Sequence, residues 1–368
     1  MLLGVLMGTS LGLGQVQADG SVSERLLGQE SADEAEESGL EHPSEHLVVT
    51  DFPGELTDAD LAVWQEHVPD IRDVEIPSTA DDYQQPALFF APEDDEERPL
   101  LLVLHSWSTD YLQNIDIPLA QFAVANEWAF IHPDFRGEND GRPESMASDL
   151  VISDMEDALE YALENANVDE SRIYLMGYSG GAMNALHLAS RHPDRFAGVA
   201  AWVPVYDLIS WYEFHAGSAE DYAEQIAGAC GGAPEEGSEA HDECVQRSPK
   251  AHLPDVAGEL RVLIAHGIED DLVPVDHGLR AYNDLVEEEA RISQEQIDAI
   301  MERGEIPEDV QERSLHTQRD YAGFDEAEAP VLLHLQSGPA ELVVFDGEHD
   351  MLYRPGLEWL ALQERESD

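Results

Sequence analysis

Residues 173–188 constrain the fold of this chain most, because a glycine-rich turn separates an apolar run from a run of helix formers. Residues 173–176 are apolar, residues 177–181 form the turn, and residues 182–188 favour a helix. A serine at so tight a turn has strained backbone angles, and flanking glycines let strand and helix approach closely. The pattern predicts a nucleophile elbow with Ser179 at its tip. The alternative is an ordinary glycine-rich loop with a solvent-exposed serine.

The residue after the serine, Gly180, begins the predicted helix. The first N–H groups of a helix lack intrahelical partners, and the positive end of the macrodipole lies there. Such a group can stabilise the negative oxygen that develops when a hydroxyl attacks a carbonyl carbon. We therefore expect the Gly180 backbone to be an oxyanion donor.

Acidic side chains dominate the chain: 79 Asp and Glu against 18 Lys and Arg give a formal net charge of -61 over 368 residues. In molar salt the screening length is only about 3 Å, so self-repulsion becomes harmless while carboxylates keep the surface hydrated. We therefore expect a halophilic protein. The alternative is a mesophilic protein with an acidic partner-binding face, but the acids are spread over the whole length. The charge also opposes binding to nucleic acid and to anionic membranes.

The N-terminal residues have the composition of a targeting segment. Residues 1–18 are expected to be a secretory signal peptide, since a short apolar run leads to Val-Gln-Ala at 16–18, although no Lys or Arg precedes it. Residues 19–47 are rich in Glu, Ser, Asp and Gly and should form an acidic, disordered linker. We expect a secreted or periplasmic protein whose folded domain spans 48–368.

Apolar runs alternate with helical patterns through that domain. Residues 74–76 and 87–91 are predicted to be edge strands, and the fully apolar run 100–104 is typical of a parallel sheet covered on both faces. The alternation predicts an α/β fold with a doubly wound, mostly parallel sheet. The other predicted elements are strands at 128–132, 173–176, 196–203, 260–265 and 341–345, and helices at 56–67, 148–164, 182–188, 277–289 and from 355.

Two insertions interrupt the alternation. Residues 206–250 follow the sixth strand, where a cap over the pocket could grow. Residues 291–329 hold two candidate helices, since Ser293 with Gln296 resembles a capping box and Pro307 suits a first helical turn. The sequence assigns no role to this second insertion.

Cys230 and Cys244 are the two cysteines of the chain. Both fall in a predicted loop of a protein that we expect to be exported, so we expect a disulfide that stabilises by roughly 3 kcal/mol. Two unpaired thiols are the alternative if the chain is not exported.

A serine nucleophile needs a base and a carboxylate that orients the base. The chain offers both after later strands: HGIEDDLVP at 266–274 and DGEHD at 346–350. Serine, then acid, then histidine, each at the carboxyl end of a strand, is the chain order of α/β-hydrolases.

Four patterns together resemble the catalytic domain of the prolyl oligopeptidase family of serine peptidases: H-G-x-x-D-x-x-V-P at 266–274, G-x-S-x-G at 177–181, R-S-P at 247–249 and G-x-H at 347–349. The resemblance covers roughly 87–362. It implies the α/β-hydrolase fold, with Ser179 as nucleophile, Asp270 as orienting acid and His349 as general base and then acid.

The spacing to Val273-Pro274 selects Asp270 rather than its acidic neighbours Glu269 and Asp271, which are expected to belong to the acidic surface. His266 is expected to be a structural residue of the loop rather than the base.

Residues 105–108 occupy the place where many esterases carry a His-Gly-Gly run and some peptidases a tyrosine. We expect the Trp107 backbone N–H to be the second oxyanion donor, with Ser106 as the alternative. The esterase-like place of His105 keeps a carboxylesterase, for example a polysaccharide acyl esterase, as an alternative to the favoured peptidase.

Aromatic residues near these motifs are candidates for an acyl or leaving-group pocket or for plain packing. They are Trp107, Tyr178, Tyr206, Trp211 and Tyr212. Three further polar residues show no metal-like spacing, so neither a metal nor another cofactor is expected: His132, Asp134 and Asp154.

The sequence therefore predicts an exported serine hydrolase that acts on a peptide or small-molecule substrate through an acyl-enzyme, while the oligomeric state stays open. A rival from another class is a catalytically silent hydrolase fold used for binding.

Overall fold

The computed structural model describes residues 39–43, 46–51, 59–315 and 322–365. Residues 41–368 form one compact unit, and of the separate unit 1–40 only residues 39 and 40 are described. The predicted signal peptide and most of the predicted linker therefore lie outside the described residues.

A nine-stranded sheet is formed by the described residues, in the order β1-β2-β4-β3-β5-β6-β7-β9-β8. The strands from β4 to β9 in that order run parallel, whereas β1, β2 and β8 are antiparallel to their neighbours. The bounds are β1 Arg72–Pro77, β2 Gln84–Phe90, β3 Arg98–Leu104, β4 Ala129–Pro133, β5 Val168–Tyr178, β6 Gly198–Trp202, β7 Val262–Gly267, β8 Val331–Ser337 and β9 Ala340–Phe345.

Helices connect the parallel strands and pack on the sheet. The strands β6 and β7 are buried along their whole length, as expected for strands covered on both faces. The predicted α/β fold with a mostly parallel sheet is confirmed. The helices are α1 Leu61–His67, α2 Ile117–Ala125, α3 Asp149–Asn165, α4 Gly180–Arg191, α5 Leu208–His215, α6 Tyr222–Cys230, α7 Glu239–Arg247, α8 Asp276–Leu285, α9 Gln294–Arg303, α10 Glu308–Gln311, α11 Ala322–Glu326 and α12 Tyr353–Ala361.

Three sequence-based assignments of elements are wrong. The run 87–91 was expected at an edge, but β2 pairs with β1 on one side and β4 on the other. The strand β8 was missed, although it forms the far edge through a hairpin with β9. The helix expected at 277–289 ends earlier, because Val286 adopts an extended conformation. Pairing and helix ends depend on neighbours that local patterns do not reveal.

The helices α5, α6 and α7 follow β6 and pack around a buried apolar cluster, which we call the cap cluster: Trp107, Met146, Ala147, Met183, Val205, Leu208, Trp211, Ile226, Ala229, Cys230, Ala240, Cys244 and Val273. Met183 comes from the helix after Ser179, and Trp107 from the loop after β3. The inserted helices therefore pack directly on the elements that surround Ser179.

The disulfide predicted between Cys230 and Cys244 is present. The surrounding segment is not a loop as expected, because Cys230 ends α6 and Cys244 lies within α7. The bond therefore joins two helices of the cap cluster.

Replacing both cysteines by serine is expected to lower the free energy of unfolding by about 3 kcal/mol, because the unfolded chain gains the entropy of an open loop. Urea unfolding of the oxidised wild type and the Cys230→Ser/Cys244→Ser variant measures the difference. Reductant should weaken the wild type and leave the variant unchanged. Equal unfolding free energies for the oxidised wild type and the variant would contradict the prediction.

In the second insertion, Ser293 and Gln296 form the predicted capping box at the start of α9. Pro307 stands just before α10, at its N-cap, rather than inside its first turn. Ile297, Ile300 and Val310 join the main core, so this insertion is packed onto the domain. None of the helices in the described ranges is both long and apolar enough to cross a membrane.

Candidate active site

The predicted elbow is present where β5 meets α4. Ser179 lies between the two elements with φ 54° and ψ -119°, a combination that side-chain-bearing residues rarely adopt. Ser179 is buried, with 5% of the residue exposed. The strained turn places the hydroxyl at the carboxyl end of the central strand.

Two glycines make this turn possible. A Cβ on Gly177 would lie 2.4 Å from the backbone carbonyl carbon of Gly181, and a Cβ on Gly181 would lie 2.1 Å from the carbonyl oxygen of Leu104. Both distances are far below van der Waals contact, so any larger residue would force strand and helix apart.

Asp270 lies in the loop after β7 and is 7% exposed. Its Oδ1 accepts hydrogen bonds from the backbone N–H groups of Leu272 (2.9 Å) and Val273 (2.8 Å). Its Oδ2 accepts from His349 Nδ1 at 2.7 Å. Burial alone would raise the pKa of Asp270, but contacts from His266 and His349 hold that pKa well below its usual range. Asp270 is therefore an anion at neutral pH.

His349 follows β9. Because a carboxylate only accepts, the Nδ1 of His349 carries the hydrogen, which leaves Nε2 as the basic atom. This Nε2 is buried and has no hydrogen-bond partner among the described residues. The hydroxyl of Tyr178, the residue before Ser179, donates to the His349 carbonyl oxygen at 2.8 Å, and the two rings lie 5.1 Å apart. The structure thus pairs His349 with Asp270 and places His349 against Tyr178, the residue that precedes Ser179.

The chain next to His349 is held by residues 46–51. Val49 N–H donates to the Met351 carbonyl at 2.9 Å, and Tyr353 N–H donates to the Leu47 carbonyl at 3.3 Å. Leu47, which was assigned to the linker, is therefore paired with the folded domain. These bonds fix the segment that immediately follows the base.

The predicted oxyanion donors are neighbours. A Cβ on Gly180 would lie 2.9 Å from both the backbone nitrogen and the Cα of Trp107, so the two backbones are in contact. Gly180 is the first residue of α4, where an N–H has no intrahelical partner. Ser106 is engaged elsewhere, because its backbone N–H (3.1 Å) and its hydroxyl (2.8 Å) both donate to Gln113 Oε1. The geometry favours Trp107 over Ser106.

Gln113 is a functional candidate that the sequence analysis missed, and no sequence signal marks it. It is fully buried, and its amide nitrogen donates to Asp116, which also accepts from His132 Nε2 at 2.8 Å. The other ring nitrogen of His132 lies 2.7 Å from the Tyr111 carbonyl oxygen. This buried network fixes the loop that carries Trp107.

Gln113→Leu is expected to lower kcat about tenfold with little change in KM, because the loop loses the acceptor that orients it, and a lost oxyanion donor costs about 10²-fold or more. Steady-state kinetics beside Gln121→Leu, a glutamine on α2 that bonds the His67 carbonyl, provides the comparison. An unchanged kcat in the folded Gln113 variant would show that this network does not support the site.

The aromatic pocket candidates separate into two groups. Trp211 packs edge-on against Trp107 at 4.7 Å and donates from its indole to the Leu272 carbonyl, and Tyr212 is half-buried beside the same cap cluster. The hydroxyl of Tyr206 instead bonds Asp284 on α8. Tyr206 lines a separate cavity of about 320 Å³. None of the three predicted catalytic residues lines this cavity.

The polar residues considered as metal ligands have other partners. Asp154 pairs with Arg136 at 2.6 Å, and Asp134 accepts from the Tyr83 hydroxyl at 3.0 Å. Within the described ranges, no group of three or more His, Cys, Asp or Glu side chains is placed to hold a metal ion. His105 is a structural residue, since its ring nitrogens face the carbonyls of Ser106 (2.9 Å) and Asp134 (2.8 Å).

An elbow serine, a histidine whose free nitrogen can accept a proton, and a buried carboxylate on the α/β-hydrolase sheet define the class of serine hydrolases. Residues 142–304 match the model of the prolyl oligopeptidase family, Peptidase_S9. The match includes Ser179 and Asp270. The chain has an α/β fold with a mostly parallel sheet, and over residues 142–304 it resembles this family.

The curated relatives include acylamino-acid-releasing enzymes and a putative esterase. Acylamino-acid-releasing enzyme 2 of Oryza sativa subsp. japonica is 27% identical over 250 residues, which are 65% of this chain and 30% of that protein. Putative esterase NocK of Nocardia uniformis subsp. tsuyamanensis is 34% identical over 120 residues, which are 30% of this chain and 34% of that protein. The chain therefore spans about a third of the length of these relatives.

Among solved structures, prolyl oligopeptidase B from Galerina marginata aligns with a TM-score of 0.49 and 17% identity over 59% of this chain and 31% of that chain.

Proposed function

We propose that this protein hydrolyses a peptide, amide or ester bond through a covalent acyl-enzyme. Ser179 Oγ attacks the substrate carbonyl carbon and its proton passes to His349 Nε2. The backbone N–H groups of Gly180 and Trp107 stabilise the oxyanion. His349 then protonates the leaving group. Water attacks the acyl-enzyme while His349 takes a proton from it, and His349 returns this proton to Ser179 Oγ as the acyl group leaves. The observation that carries the proposal is the 2.7 Å bond from His349 Nδ1 to Asp270, which leaves Nε2 free to act as base.

The leaving group we favour is an amine, which makes the protein a serine peptidase of the prolyl oligopeptidase type. The family match over residues 142–304 and the acylamino-acid-releasing relative support this choice. The substrate class is then a short peptide, and an N-acylated peptide is the first to test.

A carboxylesterase, for example one that removes acyl groups from polysaccharides, is the second candidate. Its support is the putative esterase among the relatives. The triad geometry serves both leaving groups, so rates on matched substrates must decide between them.

The test is labelling by a fluorophosphonate, followed by kcat/KM for N-acetyl-alanine p-nitroanilide and for p-nitrophenyl acetate. For each substrate, kcat/KM is divided by the rate of the uncatalysed hydrolysis, which gives its rate enhancement. Labelling together with a larger enhancement on the anilide supports the peptidase. A larger enhancement on the ester supports the esterase. A folded wild type that takes up no label would favour the third candidate, a binding module on a hydrolase fold.

We also propose that the protein is exported and acts in concentrated salt without nucleic-acid or membrane partners. The net charge of -61 and the Cys230–Cys244 disulfide support this. Its melting temperature should rise from dilute buffer to molar KCl, and the mature protein recovered outside the cytoplasm should begin at residue 19. Equal melting temperatures at both salt concentrations would contradict the halophilic part, and retention of residues 1–18 would contradict export by this signal.

A further inference from the structure

A second histidine faces the carboxylate of the catalytic triad. His266, in β7, is fully buried, and its Nε2 lies 3.3 Å from Asp270 Oδ2. The same Nε2 donates a hydrogen bond to the carbonyl oxygen of Val273 at 2.8 Å. Both imidazoles, that of His349 and that of His266, therefore face the same oxygen of the carboxylate, Oδ2.

The tautomer of His266 follows from its surroundings. Its Nδ1 is buried and has no hydrogen-bond partner among the described residues. The backbone of Gly278 on α8 closes this side of the ring, since a Cβ there would lie 2.7 Å from Nδ1. With a carbonyl acceptor at Nε2 and none at Nδ1, the ring hydrogen is on Nε2.

The bond from His266 closes the loop that carries Asp270. Val273 accepts from His266 through its carbonyl, while its own N–H binds Asp270 Oδ1 at 2.8 Å. Leu272 N–H binds the same oxygen at 2.9 Å. His266 thus holds the turn whose N–H groups orient the carboxylate.

We propose that His266 is a positioning residue that acts through Asp270 on His349. It anchors the 270–273 turn and, by its contact with Oδ2, keeps the carboxylate aimed at His349 Nδ1. This proposal rests on the proposed hydrolase function for its kinetic readout. A buried histidine that only fills space would affect stability and leave the Asp270–His349 hydrogen bond unchanged.

The experiment compares His266→Leu and His266→Asn with His266→Gln in the full chain. Leucine has no donor, and the shorter asparagine amide does not reach the Val273 carbonyl, whereas the glutamine amide nitrogen lies close to the position of Nε2. We expect about a 10²-fold loss of kcat with little change in KM for leucine and asparagine, because a misplacement near 1 Å costs about this much. Glutamine should recover most of the loss.

The spectroscopic readout is the low-field proton resonance of the His349 Nδ1–H bonded to Asp270. It should shift or broaden in the leucine and asparagine variants and return with glutamine. His187→Leu is the matched control, since His187 is a buried histidine of α4 outside the site, and it should change neither kcat nor the resonance.

If His266→Leu does not fold, the asparagine variant provides the same comparison. A folded leucine or asparagine variant with wild-type kcat and an unchanged resonance would overturn the positioning role. Failure of the proposed function appears differently, as a folded wild type without fluorophosphonate labelling, and the resonance would still report whether His266 orients Asp270.

Discussion

Ser179→Ala is expected to lower kcat by about 10⁶-fold, as loss of the nucleophile does in a serine peptidase whose triad acts as a unit. The side chain removed is the one oxygen that can form the acyl-enzyme at the tip of the elbow. Alanine keeps the Cβ and its strained backbone at φ 54°, so the fold should be retained. Single-turnover and steady-state kinetics, with loss of fluorophosphonate labelling, measure the effect.

Ser190→Ala is the matched control for that variant. Ser190 is also a serine of the α4 region, but its hydroxyl donates to the His187 carbonyl at 2.7 Å and serves the helix. This control should be labelled and turn over substrate like the wild type. Labelling that persists in a folded Ser179→Ala protein would mean that another residue is the nucleophile.

Asp270→Asn is expected to lower kcat by about 10⁴-fold while the protein remains folded. An amide opposite His349 Nδ1 can donate a hydrogen bond, which favours the tautomer with its hydrogen on Nε2. That nitrogen could then no longer take the proton from Ser179. The variant also lacks the negative charge that stabilises the imidazolium. The loss should appear mainly in kcat, and fluorophosphonate labelling should slow in parallel.

The acidic neighbours provide the controls for Asp270. Glu269 and Asp271 are exposed, whereas Asp270 is buried against His349. Glu269→Gln and Asp271→Asn should therefore each leave kcat close to the wild-type value. A loss in Asp271→Asn as large as that in Asp270→Asn would contradict the assignment of the acid.

Patterns in the sequence were sufficient to predict the parallel sheet, the serine turn and the cysteine pair. The turn at 177–181 places the serine without any knowledge of its neighbours, because a strained turn has a short-range signature. The acid followed from the resemblance of residues 266–274 to the family pattern. The parallel sheet followed from unbroken apolar runs such as 100–104. The cysteine pair followed from composition, since the chain has no other cysteine.

Relations between distant segments were decided only by the tertiary structure. Ser106 stayed an alternative to the expected donor Trp107, and the structure disfavours it because Gln113 accepts hydrogen bonds from both its backbone N–H and its hydroxyl. The edge strand β8 becomes evident only through its pairing with β9.

Two aromatic residues and two histidines also show the difference between what the sequence indicated and what only the folded structure decided. Tyr206 and Trp211 looked alike in the sequence, yet one bonds Asp284 beside a separate cavity and the other packs on Trp107. His349 was expected to face the acid, but the second imidazole at His266 was not. The sequence alone determined which chemical groups follow which strands, because that order is written along the chain. Which of them touch depends on packing between segments far apart in sequence, and only the folded structure decided it.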